Sequence, residues 1–342
     1  MCEVTDSQTS IALYADDTKI WRKIMCWQDH ITLQSDINAL YQWSVTNKMK
    51  FHPKKCKVVP IGPIEKGLTD FFDKIFPTRK FYLYNLGGIE LEYIKEEKDF
   101  GIIVTSNFSW EHHIDALFNK ASSRLGLLKR TLYFVKSKEQ KRSFYLAVVR
   151  SQFEHCVQVW RPTTVVLNKK LERIQRRAVK WILSEQDHSY SDLEYLMRLR
   201  DLDLLPLNER FLTSDLILFY DVYNDLSCIK FPPYLRKNSG EERGRLTRKI
   251  RRPTKLSDNE ALNFQTLREN RNDSYSIKSD IEAKKPAFKS SYFFRTVQEW
   301  NCLPTEIKES TSREVFRSKL VQYIKTKIFN PIGEQELDLD DS

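Results

Sequence analysis

The chain opens on an alternation of short apolar runs and ends on long amphipathic ones. Ile11-Ala-Leu-Tyr-Ala-Asp-Asp-Thr-Lys-Ile-Trp21 is an apolar run, an acidic break and a second semi-apolar run. This pattern predicts a β-hairpin over positions 9–22 with two adjacent carboxylates at its tip. Over 29–47 the apolar residues Ile31, Leu33, Ile37, Leu40, Tyr41 and Trp43 return at helical spacing, with Asp29 placed to cap the start. Lys48–Lys57 is a basic turn leading into a strand at Val58-Val59. The prolines Pro60, Pro63 and Pro77 make 60–80 loop-like, and strand patterns resume near Phe81–Tyr84, Ile89–Tyr93 and Phe100–Val104. Beyond Trp110 the period becomes 3.6. It predicts helices over Trp110–Leu128, Lys138–Phe153, Val165–Leu183, Leu193–Leu199 and Leu207–Tyr223. Positions 236–255 are aperiodic and nearly all charged, which reads as a mobile basic linker. A last ordered piece, Phe293–Phe329, precedes an acidic tail.

Composition narrows the class. Of 342 residues 41% are hydrophobic, enough for a core. Glycine occurs only 9 times and 30% of residues are charged, which fits a mostly helical chain. The net charge of +10 favours a polyanionic partner, nucleic acid before acidic membrane. No apolar stretch reaches membrane-spanning length, and the cationic segments lack an apolar face large enough for insertion, so no membrane partner is expected. The polar, acidic N-terminus is no signal peptide. The six cysteines are scattered without a Cys-x-x-Cys pair, and the His112-His113 and His155-Cys156 pairs lack further ligands at zinc spacing. Reduced thiols in an intracellular protein, nuclear or cytoplasmic, are the simplest account.

The candidate chemistry starts at Asp16 and Asp17. Two bare carboxylates at one turn repel unless a cation intervenes, and Mg²⁺ is held by one or two carboxylates plus waters and substrate phosphates. A solvated acidic turn fits the same residues. On the helix 165–183, Leu167, Leu171, Ile174, Ala178 and Ile182 line one side, while Lys169, Lys170, Arg173, Arg176, Arg177 and Lys180 fill much of the rest, with Glu172 the sole acid. Such a helix docks on a core and shows phosphates a cationic strip. Each lost contact should flatten the salt dependence of binding by roughly 0.7–0.9 log unit. Arg248, Lys249, Arg251 and Arg252 are a second phosphate candidate, and the same run fits a nuclear import signal. Trp110, Trp160, Trp181 and Trp300 read as core anchors.

In order along the chain, these pieces resemble the 3′ half of a reverse transcriptase from a non-LTR (LINE-type) retrotransposon, of the jockey and chicken-repeat-1 kind. Ile11–Trp21 is similar to that family's metal-binding palm hairpin. Leu33-Gln-Ser-Asp-Ile-Asn-Ala-Leu-Tyr-Gln-Trp43 is similar to the palm helix, and Lys50-Phe-His-Pro-Lys-Lys-Cys-Lys57 to the turn closing the palm. Lys98-Asp-Phe-Gly-Ile-Ile-Val104, Phe108-Ser-Trp-Glu-His-His-Ile114 and Lys120–Leu128 resemble the approach to the thumb. Ala147–Arg150, Glu154-His-Cys156, Val159-Trp160 and Leu171-Glu-Arg-Ile-Gln-Arg-Arg177 resemble the region after the thumb, and Trp300-Asn-Cys-Leu-Pro304 the close of the reading frame. His52 stands where the family generally has Asn.

The resemblance implies an α+β fold. A palm remnant occupies 1–60, connecting strands and loops 61–105, a helical thumb and post-thumb region 106–228, the basic linker 229–290, and a C-terminal helical piece with the acidic tail 291–342. It implies RNA-directed DNA synthesis by two-metal phosphoryl transfer, with an RNA template, a DNA primer or target and dNTP as substrate. Asp16 and Asp17 would hold Mg²⁺, Asp16 being the more demanding ligand. Tyr14 would flank the primer end, although a strand aromatic packing on the following helix fits it too. Lys55 resembles the lysine that gives a proton to departing pyrophosphate, although a solvated basic turn is an equal reading. The family's fingers and a further metal-binding aspartate would precede residue 1, so the expectation is a fragment inactive alone. The alternative is a non-catalytic nucleic-acid-binding remnant.

Overall fold

A computed structural model describes residues 5–61, 82–185, 190–237, 275–279 and 286–340. Among the described residues, helix is mixed with small two-stranded sheets only. It forms two units, Met1–His113 and Ile114–Ser342. Among the described residues no helix is long and apolar enough to cross a membrane.

The first unit begins with the hairpin of β1 (Ser10–Tyr14) and β2 (Asp17–Trp21), paired antiparallel from Ser10↔Trp21 to Tyr14↔Asp17. Arg22 closes its open end by donating to Asp6 at 2.7 Å and to Thr9 at 2.9 Å. That bond holds the Asp6 carboxyl below the usual range. Helix α1 spans Trp27–Thr46. Asp29 lies in its first turn rather than at its cap, and accepts from the backbone N–H of Met25 (2.8 Å) and Cys26 (3.0 Å). These otherwise orphaned donors lower its pKa.

A 3₁₀ turn, Pro53–Lys55, leads to β3 (Lys57–Val58), which pairs in parallel with β6 (Glu92–Tyr93). Hairpin β4–β5 (Asn85–Leu86, Ile89–Glu90) turns on Gly87-Gly88, at φ 60° and 82°, the left-handed conformation a tight two-residue turn demands. Hairpin β7–β8 (Glu96–Asp99, Ile102–Thr105) turns on Phe100 and Gly101, both also at positive φ. Most of the loop expected over 60–80 lies outside the described residues. Tyr82–Tyr84 are not paired as a strand; the ring of Tyr84 is buried instead, with Ile37, Leu86 and Leu91. The Gln34 side chain locks α1 to β4 by bonding the Asn85 backbone twice, at 2.8 and 2.9 Å.

The second unit is mainly helical. Helix α2 runs over Glu111–Thr131 and α3 over Lys138–Phe144. The single helix expected over 138–153 is broken. After α3 come one π turn, Tyr145–Val149, and one 3₁₀ turn, Arg150–Phe153. The changed winding accompanies full burial of Tyr145, Val149 and Phe153. Next come α4 (Val157–Trp160), α5 (Val165–Leu183), α6 (Asp192–Asp201) and α7 (Leu207–Tyr223). The bounds of α5 and α7 are those the periodicity predicts. Thr164 caps the start of α5, and Lys141 donates to Trp181 O and Ser184 Oγ at its end, where exposed carbonyls favour a cation.

Two buried polar clusters pin this bundle. Asp215, fully enclosed on α7, accepts from Arg161 at 3.0 Å and from Arg295 at 3.0 and 3.2 Å. Glu172 turns inward from α5 and accepts from Tyr195, Gln175 (3.0 Å) and Leu207 N–H (2.8 Å); burial raises its pKa. The C-terminal core packs Phe219 and Tyr220 against Trp300 of α9 (Tyr292–Asn301) and Phe316 of α11 (Arg313–Asp340). Tyr220 stacks on Phe316 at 4.4 Å and Trp300 Nε1 donates to Tyr275 O at 2.9 Å. The same core takes in a two-stranded sheet, β9 (Leu235–Lys237) with β10 (Ile277–Ser279). Two short helices, α8 (Pro286–Lys289) and α10 (Thr305–Lys308), complete the order. Trp160, Trp181 and Trp300 are buried anchors, whereas Trp110 is half-buried.

Candidate nucleic-acid interface

The hairpin tip is the first site. Tyr14 pairs with Asp17 across the end of the ladder, so Ala15 and Asp16 make a two-residue turn. Ala15 sits at φ 51°, a left-handed conformation that costs a residue with a Cβ about 1–2 kcal/mol. Directly paired residues share a face, which puts Tyr14 and Asp17 on the same side of the hairpin. Both carboxylates are exposed, and neither has an ion-pair or hydrogen-bond partner among the described residues. Tyr14 is 67% exposed and leans edge-on against Phe100 at 4.8 Å rather than against α1. Lys19 lies over the Phe100 ring at 4.2 Å and pairs with Asp99. Phe100 is the residue the sequence reading missed. The Phe-Gly dipeptide at 100–101 is a turn signal, but nothing in the linear order brings it to Tyr14.

Two hard oxygen donors at one turn suit a magnesium ion that takes its remaining ligands from water and phosphate. Among the described residues no group of three or more His, Cys, Asp or Glu side chains is placed to hold a metal. The pair is therefore an incomplete donor set. Lys55 ends the 3₁₀ turn with an exposed side chain, and no contact among the described residues links it to Asp16 or Asp17.

The second site is the outer side of α5. Its inner face buries Leu171, Ile174, Ala178 and Ile182, as the period predicts, with Leu167 only half-buried. Glu172 is on the inner side too, so it does not offset the outer cations. Of these, Lys170 pairs with Asp115 and Arg176 with Asp192, and the Arg176 guanidinium also lies 4.0 Å over the Tyr195 ring. Lys169 and Arg173 are exposed, Arg177 donates to Ser122 Oγ at 2.8 Å, and Lys180 lies 5.6 Å from the Tyr190 ring. Arg173, Arg176, Arg177, Lys180 and Tyr190 line an open groove of about 330 Å³. Arg248, Lys249, Arg251 and Arg252 lie outside the described residues. The five described cysteines are free thiols.

Comparison with known proteins found no matching protein family, no matching curated protein and no matching solved structure.

Proposed function

We propose that the chain is the C-terminal part of an RNA-directed DNA polymerase of a non-LTR retrotransposon, with a palm remnant over 1–60, connecting strands and loops over 61–105 and a helical thumb and post-thumb region over 106–228. The observation that carries this reading is the pair of exposed carboxylates at the hairpin tip, Asp16 on the two-residue turn and Asp17 at the start of β2, with an exposed tyrosine, Tyr14, paired opposite Asp17. Asp16 and Asp17 would hold Mg²⁺, which would supply positive charge against substrate phosphates. Two-metal transfer needs ligands beyond this pair, so the chain as it stands is expected to synthesise no DNA.

The test is manganese-induced broadening of backbone amide signals in the ¹⁵N-labelled chain. The amides of Tyr14–Thr18 should broaden first, and Asp16→Asn with Asp17→Asn should abolish this. Broadening spread evenly over other carboxylates, or unchanged in the double variant, overturns the reading. Template-dependent incorporation that Asp16→Asn abolishes would show that the site is complete and the expected inactivity wrong.

The outer face of α5 favours a second reading, nucleic-acid binding without synthesis. Its cations outnumber their acidic partners because the one acid of that helix points inward.

A further inference from the structure

Helices α2 and α5 run side by side in the same direction. Asp115 meets Lys170, Phe118 lies under Lys170 and Arg173 at 5.6 Å, and Ser122 meets Arg177. The pairs advance together along both helices, and about two turns beyond Ser122 Lys129 of α2 comes within electrostatic reach of Arg177 and Lys180. Lys129 itself is half-buried. Burial, and then these two cations, push its pKa down. Folding has gathered positive charge here rather than spread it.

Lys129, Arg173, Arg177 and Lys180 have no acidic partner among the described residues, in contrast to Lys170 and to Arg176, which lines the groove with its charge already paired. Along α5, positions 173, 177 and 180 are spaced by about 6 Å and then about 4.5 Å. That stagger suits a chain of anions one to two nucleotides apart better than one compact anion. Ring contacts steady two of the four cations: Arg173 over Phe118 and Lys180 by Tyr190. Tyr190 itself is buried and donates its hydroxyl to Glu185, so it offers no open face for stacking a base.

We propose that the groove along α5, beside α2, is a binding site for the sugar–phosphate backbone of a nucleic acid, with Arg173, Arg177 and Lys180 each meeting a phosphate, Lys129 adding its charge, and no base read. This deepens the second reading above and does not depend on the hairpin carboxylates. An unpaired cation cluster is costly to assemble, and a backbone of regularly spaced monoanions relieves it while releasing counterions. The set joins a residue of α2 to three of α5, and it excludes the cations already neutralised by Asp115 and Asp192.

The test uses the full chain and a fluorescent mixed-sequence single-stranded RNA, without divalent cation, titrated by anisotropy between about 50 and 200 mM salt. Arg173→Gln/Arg177→Gln/Lys180→Gln should weaken binding about tenfold or more at low salt and reduce the slope of log K against log salt by about 2–3. A matched control, Lys138→Gln/Lys230→Gln/Arg317→Gln, removes three exposed cations elsewhere on the second unit and should leave that slope nearly unchanged. Circular dichroism melts establish that the variants fold. If the triple variant does not, the double Arg173→Gln/Arg177→Gln, which alters only exposed side chains, should lose about 1.4–1.8 of the slope.

Equal losses in the groove and control sets would mean long-range net charge alone and would overturn the site. So would an unchanged groove variant, or tighter binding to phosphatidylserine vesicles than to RNA at the same salt. Failure here is separable from failure at the hairpin, because that reading is scored by manganese broadening and this one by salt slope.

Discussion

The two units hold themselves together in different ways. The second buries whole aromatic rings, Trp300, Phe219 and Phe316 among them, and pins its helices with enclosed charges. The first is assembled from hairpins of two to five residues a strand, with Ile37, Tyr84, Leu86 and Leu91 as the buried members of its core cluster. Isolated two-stranded hairpins are marginal in water, so its shape depends on turns and on side chains that clamp backbone, such as Gln34 on Asn85. The candidate metal ligands lie in this lightly built unit and the candidate phosphate groove in the well-packed one. A hairpin with exposed edges also tends to self-associate.

The largest test of this contrast is Asp215→Asn. The change leaves Arg161 and Arg295, whose side chains are 10% and 12% exposed, without their shared carboxylate. Removing one partner of a buried ion pair costs about 3–5 kcal/mol. Hydrogen exchange should show α7 and α9 losing protection while α1 and β4–β5 keep theirs. Equal losses in both units would show that they unfold as one body and would break the comparison.

Gly87→Ala probes the other side. An added Cβ would meet the Tyr41 ring at 2.5 Å, at a φ of 60°. The backbone conformation alone costs about 1–2 kcal/mol, and the clash adds to it. Protection should fall by about 2 kcal/mol or more in α1 and β4–β5 and hold in α7. A variant as protected as the parent would mean that the turn governs nothing in that unit.

The smallest effect is on pH. Burial lowers the pKa of His30 below its ordinary 6.5, against a weaker opposite pull from Asp29. The folded state therefore binds fewer protons than the unfolded one once the pH drops under 6.5. The stabilisation from the neutral ring is present above that value and is lost as the pH falls through the lower folded value. His30 Nδ1 lies 2.7 Å from the Tyr84 hydroxyl, inside the small core, so the loss belongs to the first unit. Protection of α1 should decline from pH 7 to 5, and His30→Gln should flatten that decline. An identical decline in the variant would assign the effect to other groups.

The long elements were legible because their period is a property of the chain. Val165–Leu183 and Leu207–Tyr223 begin and end where Thr164, Ser184 and Pro206 place the boundaries, and the tip at 15–16 follows from apolar runs flanking an acidic break. Less was legible where the signal was local but two residues long. Gly87-Gly88 and Phe100-Gly101 mark hairpins whose strands are too short to show alternation. The break after Phe144 was illegible, because a π turn keeps a helical pattern of side chains while changing the backbone's winding.

Sequence by itself determined the exposed acidic hairpin, the amphipathic helices and the excess of positive charge, since each depends on neighbours a few residues apart. Tertiary structure alone decided which charges remain available. It turned Glu172 inward, gave Asp115 to Lys170 and Asp192 to Arg176, and brought Lys129 within electrostatic reach of Arg177 and Lys180. The physical reason is that a charge's partners are set by distance through space, and in this fold the partners of Lys170 and Arg176 come from other helices, 55 and 16 residues away along the chain.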